Sequence, residues 1–132
     1  MKHKRKLMIV LAILMIWMSV IACATVQTHS GWIGKSVPGK ISYTYTKFTG
    51  IERGNIEAKA GQTLNLTYDV KIKRGRVFIQ LIDPQNRVLW NVALKDDQSD
   101  SVEIPLELEG NYPLIIRGEN TSGSFEVTWI VK

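Results

Sequence analysis

Leu64-Asn65-Leu66-Thr67-Tyr68-Asp69-Val70-Lys71-Ile72 is the stretch whose reading decides the fold. Apolar and polar side chains alternate through it, and a period of two sends them to opposite faces of a β-strand. The same period returns in Val102, Ile104, Leu106 and Leu108, spaced by Glu103, Pro105, Glu107 and Glu109. It returns again in Phe125, Val127, Trp129 and Val131, spaced by Glu126, Thr128 and Ile130. Shorter runs at 41–48, 55–60, 76–82, 87–94 and 112–117 behave alike. In 76–82, Val77, Ile79 and Leu81 form one face while Phe78 and Ile82 form the other, which predicts a strand buried on both sides.

Turn-forming residues separate these runs: Ala60-Gly61-Gln62, Lys73-Arg74-Gly75, Asp83-Pro84-Gln85-Asn86, the polar stretch 95–100, Gly110-Asn111 and the stretch 118–123. About eight short strands with regular breaks and no helical period predict an all-β, antiparallel, jelly-roll-like sandwich. Pro105 lacks a backbone donor, so its strand is expected at a sheet edge or bulged.

The segment before the strands is of another kind. Lys2, Lys4, Arg5 and Lys6 precede Leu7–Ala22, a run of 16 residues interrupted only by the mildly polar Ser19. A bilayer span needs about 20 apolar residues, so the run suits an export leader better than a permanent helix. The chain carries a net charge of +5; removing the four leader cations leaves +1. The basic balance is therefore no argument for nucleic acid, which is not expected as a partner. Cys23 is the chain's one cysteine, which excludes an internal disulfide and a thiolate metal cluster.

The run ends Val20-Ile21-Ala22-Cys23, which resembles the lipobox of bacterial lipoproteins. That resemblance implies cleavage between Ala22 and Cys23, diacylglycerol on the Cys23 thiol, and a protein anchored in the bacterial cell membrane on its extracytoplasmic face. Two acyl chains hold far more firmly than one. The expected organisation is a leader over 1–22, a lipidated cysteine with a flexible tether over 23–40, and a sandwich domain over 41–132. The tether is polar and rich in Gly and Ser, with Trp32-Ile33 as an apolar pair that either docks on the domain, the preferred expectation, or dips into the lipid interface.

Four further motifs resemble a known exported module. They are Gly61-Gln62-Thr63-Leu64-Asn65-Leu66, the strand and turn running from Val77 to Asn86, Gly110-Asn111-Tyr112-Pro113-Leu114-Ile115-Ile116, and Gly123-Ser124-Phe125-Glu126-Val127-Thr128-Trp129. Together they are similar to the bacterial pre-peptidase C-terminal domain and its jelly-roll-like relatives among carbohydrate-binding modules. The resemblance implies a non-catalytic appendage. The acidic residues that hold calcium in the first half of such relatives are missing here.

Catalysis has little to work with. His29 lies in the tether and Cys23 in the leader's processing site, so no nucleophile–base pair is visible in the domain and no enzyme is expected. Asp96, Asp97 and Asp100 are the candidate ligands for Ca²⁺, three carboxylates within five loop residues. Tyr43 and Tyr45 alternate with Ser42, Thr44 and Thr46 and form a candidate ligand strip, with core packing as the competing role. Lys71, Lys73, Arg74 and Arg76 cluster about an expected hairpin tip, which is expected to be solvated, with an anionic partner such as a wall polymer or lipid headgroups as the alternative. The functional expectation is a membrane-anchored binding module for an envelope protein or glycan; the alternative is a structural accessory of an envelope assembly with no ligand of its own.

Overall fold

The computed structural model describes residues 27–132. The leader, Ala22 and Cys23 lie outside the described residues. Among those described are seven strands: β1 (Thr28–Ser30), β2 (Ile33–Val37), β3 (Lys40–Ala58), β4 (Thr63–Ile82), β5 (Val88–Leu94), β6 (Gln98–Pro105) and β7 (Gly110–Val131). Every pairing is antiparallel.

The expected eight strands become five by merging, and β1 and β2, outside the expected set, bring the count to seven. Three pairs of expected short strands are single long ones: β3 has 19 residues, β4 has 20 and β7 has 22. The glycine-rich and basic stretches between them are bends within strands, not reversals. Register slips occur in β3 between Tyr45 and Gly50, and in β4 between Ile72 and Arg76 where it pairs with β7. Extra residues at such bulges break the ladder locally and bend the strand. Because the three bends lie side by side, the sheet folds along one line.

That line divides the sheet into two layers. In one, the strand order is β2, the first part of β3, the last part of β7, the first part of β4, and β6. In the other it is the second part of β3, the first part of β7, the second part of β4, and β5. The layers face each other. A methyl group added at Gly54 in the second layer would come within 3.0–3.1 Å of Trp129 and Ile41 in the first. The rings of Tyr68 and Trp90 approach to 5.9 Å across the same gap. Leu64, Leu66, Tyr68 and Val70 fill the core from one side, Val77, Ile79, Leu81, Leu114 and Ile116 from the other. The sandwich expectation is met, and Pro105 ends β6, which is an edge strand.

The tether expectation is corrected at residues 28–37. β1 and β2 pair with β3, Ser30 opposite Lys47 and Ile33 opposite Thr44. Both strands are exposed throughout, so no alternation marked them. Trp32 between them supplies the hold: its ring lies 4.4 Å from that of Tyr43 and 4.8 Å from that of Phe48. Ile33, by contrast, stays 75% exposed.

At the far end of the layers the loops are closed by side chains. Tyr112 is buried, and its hydroxyl donates to the Leu108 carbonyl at 2.7 Å while accepting from the Leu108 N–H at 3.2 Å. The Asp83 carboxylate accepts from the N–H groups of Gln85 and Arg87 and from Arg87 Nε, each at 2.9 Å. These bonds, the Arg87 backbone N–H foremost, hold its carboxyl below the usual range.

The fold line has a glycine requirement. Gly123 sits at φ +145° where a Cβ would strike the Lys71 carbonyl, and Gly75 at φ +77° where one would strike the carbonyls of Glu119 and Asn120. Gly61 also has positive φ, but a Cβ there would meet nothing within 4 Å. Gly123→Ala should therefore cost at least about 2 kcal/mol, and Gly61→Ala only about 1 kcal/mol of backbone strain. Urea denaturation of the two variants checks this; equal costs would show that the bend is not sterically confined.

Candidate functional site

The two outer faces of the sandwich differ in chemistry. On the first layer the outward side chains are largely hydroxyls and paired charges. Thr67 and Ser101 share a hydrogen bond at 2.9 Å, Ser99 donates to Asp69 at 2.7 Å, and Lys40 meets Glu126 at 3.1 Å. Many of these groups pair with one another across the strands.

The second layer presents something else. Its outward residues fall into rows across the strands. Ile51, Arg117, Phe78 and Ala93 make one row; Arg53, Ile115, Gln80 and Asn91 make the next. Between the rows runs a groove of about 310 Å³, bordered by Ile51, Phe78, Gln80, Asn91, Ile115 and Arg117 among others. The Arg117 guanidinium lies over the Phe78 ring at 4.4 Å from its centroid and 3.6 Å from Glu119. The ring attracts the cation and the Glu119 carboxylate stands beside one of its terminal nitrogens, so the guanidinium is held at the border of the groove. Gln80 and Asn91, opposite each other in the β4–β5 ladder, add side-chain amides that donate and accept. An apolar floor with a few planar polar groups is the usual composition of a ligand groove.

The sequence reading of 76–82 is corrected here. Phe78 and Ile82 do face away from the core, but no second layer covers them and both are half-buried. Apolar residues on both faces of a strand signalled burial, and they instead mark an outer face that stays partly open to solvent. Gln80, Asn91, Ile115 and Arg117 were not singled out by the sequence; Phe78 facing away from Val77 and Ile79 was the one available signal.

Tyr43 and Tyr45 are not an open strip. Tyr45 is 3% exposed, and Trp32 stacks on Tyr43 with ring planes 23° apart. Burial raises the hydroxyl pKa of both. His29 places its ring edge-on to Trp32 at 4.9 Å. Glu52 shares this neighbourhood, and desolvation pushes its carboxyl above the ordinary glutamate value, partly offset by His29.

Asp96, Asp97 and Asp100 are not brought together. Asp97 accepts the Ile72 N–H at 2.8 Å and Asp100 accepts the Ser101 N–H at 2.8 Å. Among the described residues no three His, Cys, Asp or Glu side chains converge as metal ligands. Asp97 instead secures the β5–β6 connection to the bend of β4. Glu107 and Glu109 are both exposed.

No protein-family model matches this chain, and no characterised sequence is similar to it. Its fold is shared with solved structures. A carbohydrate-binding module, CBM4, superposes with a TM-score of 0.53 at 12% identity, over 80% of this chain and 77% of that one. A second module, CBM6cm-2 of Cellvibrio mixtus lichenase 5A in complex with cellotriose, gives 0.44 at 13% identity, over 81% and 88% of the two chains. The periplasmic g-type lysozyme inhibitor PliG of Aeromonas hydrophila gives 0.39 at 17% identity, over 83% and 93%. The likeness to CBM4 is one of fold: this chain is an antiparallel β-sandwich.

Glu52 offers a test of the aromatic neighbourhood. Its folded pKa lies above the unfolded value of 4.5, so ionising it opposes folding. Glu52→Gln should raise the urea midpoint at pH 7. The gain should shrink as pH falls through the raised pKa and vanish below about 4.5, where both states carry the proton. A variant less stable than the parent at pH 7 would contradict this.

Proposed function

We propose that this protein is a bacterial envelope lipoprotein, held on the extracytoplasmic face of a membrane by diacylglycerol on Cys23, whose sandwich is a non-catalytic module that binds an extended glycan. The observation that carries the binding half is the groove of the second layer. A sugar chain presents hydroxyls around its rim and C–H groups on its faces. Gln80, Asn91 and the guanidinium edge of Arg117 suit the rim, and Ile51 and Ile115 suit the faces. The carbohydrate-binding modules that share the fold support the same choice. The anchor half is supported by the lipobox-like Val20-Ile21-Ala22-Cys23 and the cationic leader.

A second reading has an observation of its own. β5 is an edge strand on which Val88 is 52% and Leu89 40% exposed. Such an edge can pair with another chain, which favours a structural accessory of an envelope assembly.

Co-sedimentation of the purified mature protein with insoluble envelope and plant polysaccharides separates the two. Binding should weaken at least about tenfold in Arg117→Ala and in Gln80→Ala, a loss of roughly 1.4 kcal/mol, while Leu89→Ser leaves it unchanged. Binding indifferent to Arg117 and Gln80, or capture of an envelope protein abolished by Leu89→Ser, overturns the groove reading. The mass of the mature amino terminus reports separately on the anchor: diacylglycerol on Cys23 is expected, and an intact Met1 rejects it.

A further inference from the structure

The fold line carries most of the domain's unpaired positive charge. Lys73, Arg74 and Arg76 lie on the bend of β4, Lys47 lies on the bend of β3, and Lys95 begins the β5–β6 connection that passes beside β4; all are exposed. Of the nearby carboxylates, Glu119 stands opposite Arg76 in the β4–β7 ladder and faces Arg117, and Asp69 faces Lys71 at 3.7 Å; Asp97, which accepts the Ile72 N–H, keeps its charge and offsets part of the excess. Asp96 stands beside Lys95. The opposite rim mixes Glu57, Glu107 and Glu109 with Lys59 and Arg87 and has no such excess.

The chain enters the domain at this same line. β1 pairs with β3 at Lys47–Thr49, and the Gln27 side chain lies against Gly50. Between Cys23 and Gln27 stand only Ala24, Thr25 and Val26. An extended chain covers at most about 3.6 Å per residue, so Gln27 lies within roughly 15 Å of Cys23 whatever path the link takes. Across the bend, β1, β3, β7 and β4 are successive neighbours. Three strand spacings put Arg74 about 14 Å from β1. An anchor at Cys23 therefore leaves the basic ridge no room to stand far from the bilayer.

We propose that the fold-line ridge of Lys47, Lys73, Arg74, Arg76 and Lys95 seats the domain directly on the anionic phospholipid headgroups of the membrane that holds Cys23. The seat orients the molecule. The bend lies down on the surface, the Asp83 and Tyr112 loops point away, and the groove of the second layer opens sideways above the headgroups. A flexible tether of 17 residues would have left orientation free; β1, β2 and Trp32 remove that freedom. Each basic residue near an anionic leaflet favours contact by roughly fivefold, an attraction that salt screens within a Debye length.

The inference rests on the reading of Cys23 as an anchor, but its test does not need the lipid itself, because an uncleaved leader would hold the chain as close. The full protein, purified from membranes, is reconstituted into vesicles of phosphatidylcholine alone or mixed with an equal part of phosphatidylglycerol. Lysine acetylation is then followed residue by residue by mass spectrometry. In the anionic vesicles Lys47 and Lys73 should react at least about threefold more slowly than in the neutral ones, an effect of the surface charge that high salt abolishes. Lys59 at the far rim should react equally in both. Arg74→Gln with Arg76→Gln, both at exposed positions, should restore much of the lost reactivity. Equal rates in the two vesicles, or protection that persists in neutral lipid and high salt, overturns the seat. The mass of the amino terminus tells which anchor was present, so failure of the lipid reading and failure of the seat are separate results.

Discussion

Three strands of about twenty residues would each run for roughly 65 Å if they were straight, far more than a domain of this size can span. They do not run straight because each is interrupted at the same level, where a slipped residue, a positive-φ glycine or both let the backbone turn without breaking its pairing. Gly75 in β4 passes so close to the Glu119 and Asn120 carbonyls of β7, and Gly123 in β7 so close to the Lys71 carbonyl of β4, that no side chain fits between. That close backbone approach makes one sheet into two facing layers. The core, the groove and the basic ridge all follow from where the fold falls.

Folding one sheet, instead of stacking two, has consequences for the surface. The same three strands supply both layers, and the irregularity at each bend shifts the inward phase by one residue, from even to odd positions in β4 and β7 and from odd to even in β3. Leu64 to Val70 and Val77 to Leu81 meet inside. The residues out of phase with them emerge on opposite outer faces, and there sequence is free to differ. It does differ: one face is a carpet of hydroxyls and ion pairs, the other an apolar groove edged by Arg117, Gln80 and Asn91. The bend, where neither layer can be covered, is left for exposed cations.

Much of this was legible in the sequence and some was not. Strict alternation in 64–72 and 125–131 correctly gave strands and their buried faces. The bends were misjudged because a reversal and a bulge use the same residues. Lys73-Arg74-Gly75 would serve a hairpin as well as a kink, and only the unbroken partner strand β7 decides between them. β1 and β2 were missed because strands exposed on both faces have no period; they exist through their backbone bonds to β3 and the burial of Trp32 against Tyr43 and Phe48. The groove was half seen, in Phe78 pointing away from the core. A strand's sequence records that a face is apolar, but what lies over that face is set by another part of the chain. The carboxylates of 96–100 do not converge: Asp97 turns to the Ile72 N–H and Asp100 to the Ser101 N–H.

The claim on which the rest stands is that the two layers close on each other across the bend. Nuclear Overhauser contacts in the isotope-labelled protein measure that closure directly. The account predicts cross-peaks from the Trp129 indole to the Gly54 α-protons, and from the Tyr68 ring to the Trp90 ring, pairs distant in sequence that meet only if the sheet is folded. A spectrum with the β-ladder contacts of β3, β4 and β7 intact and both of these absent would mean an unfolded, open sheet, and would contradict it.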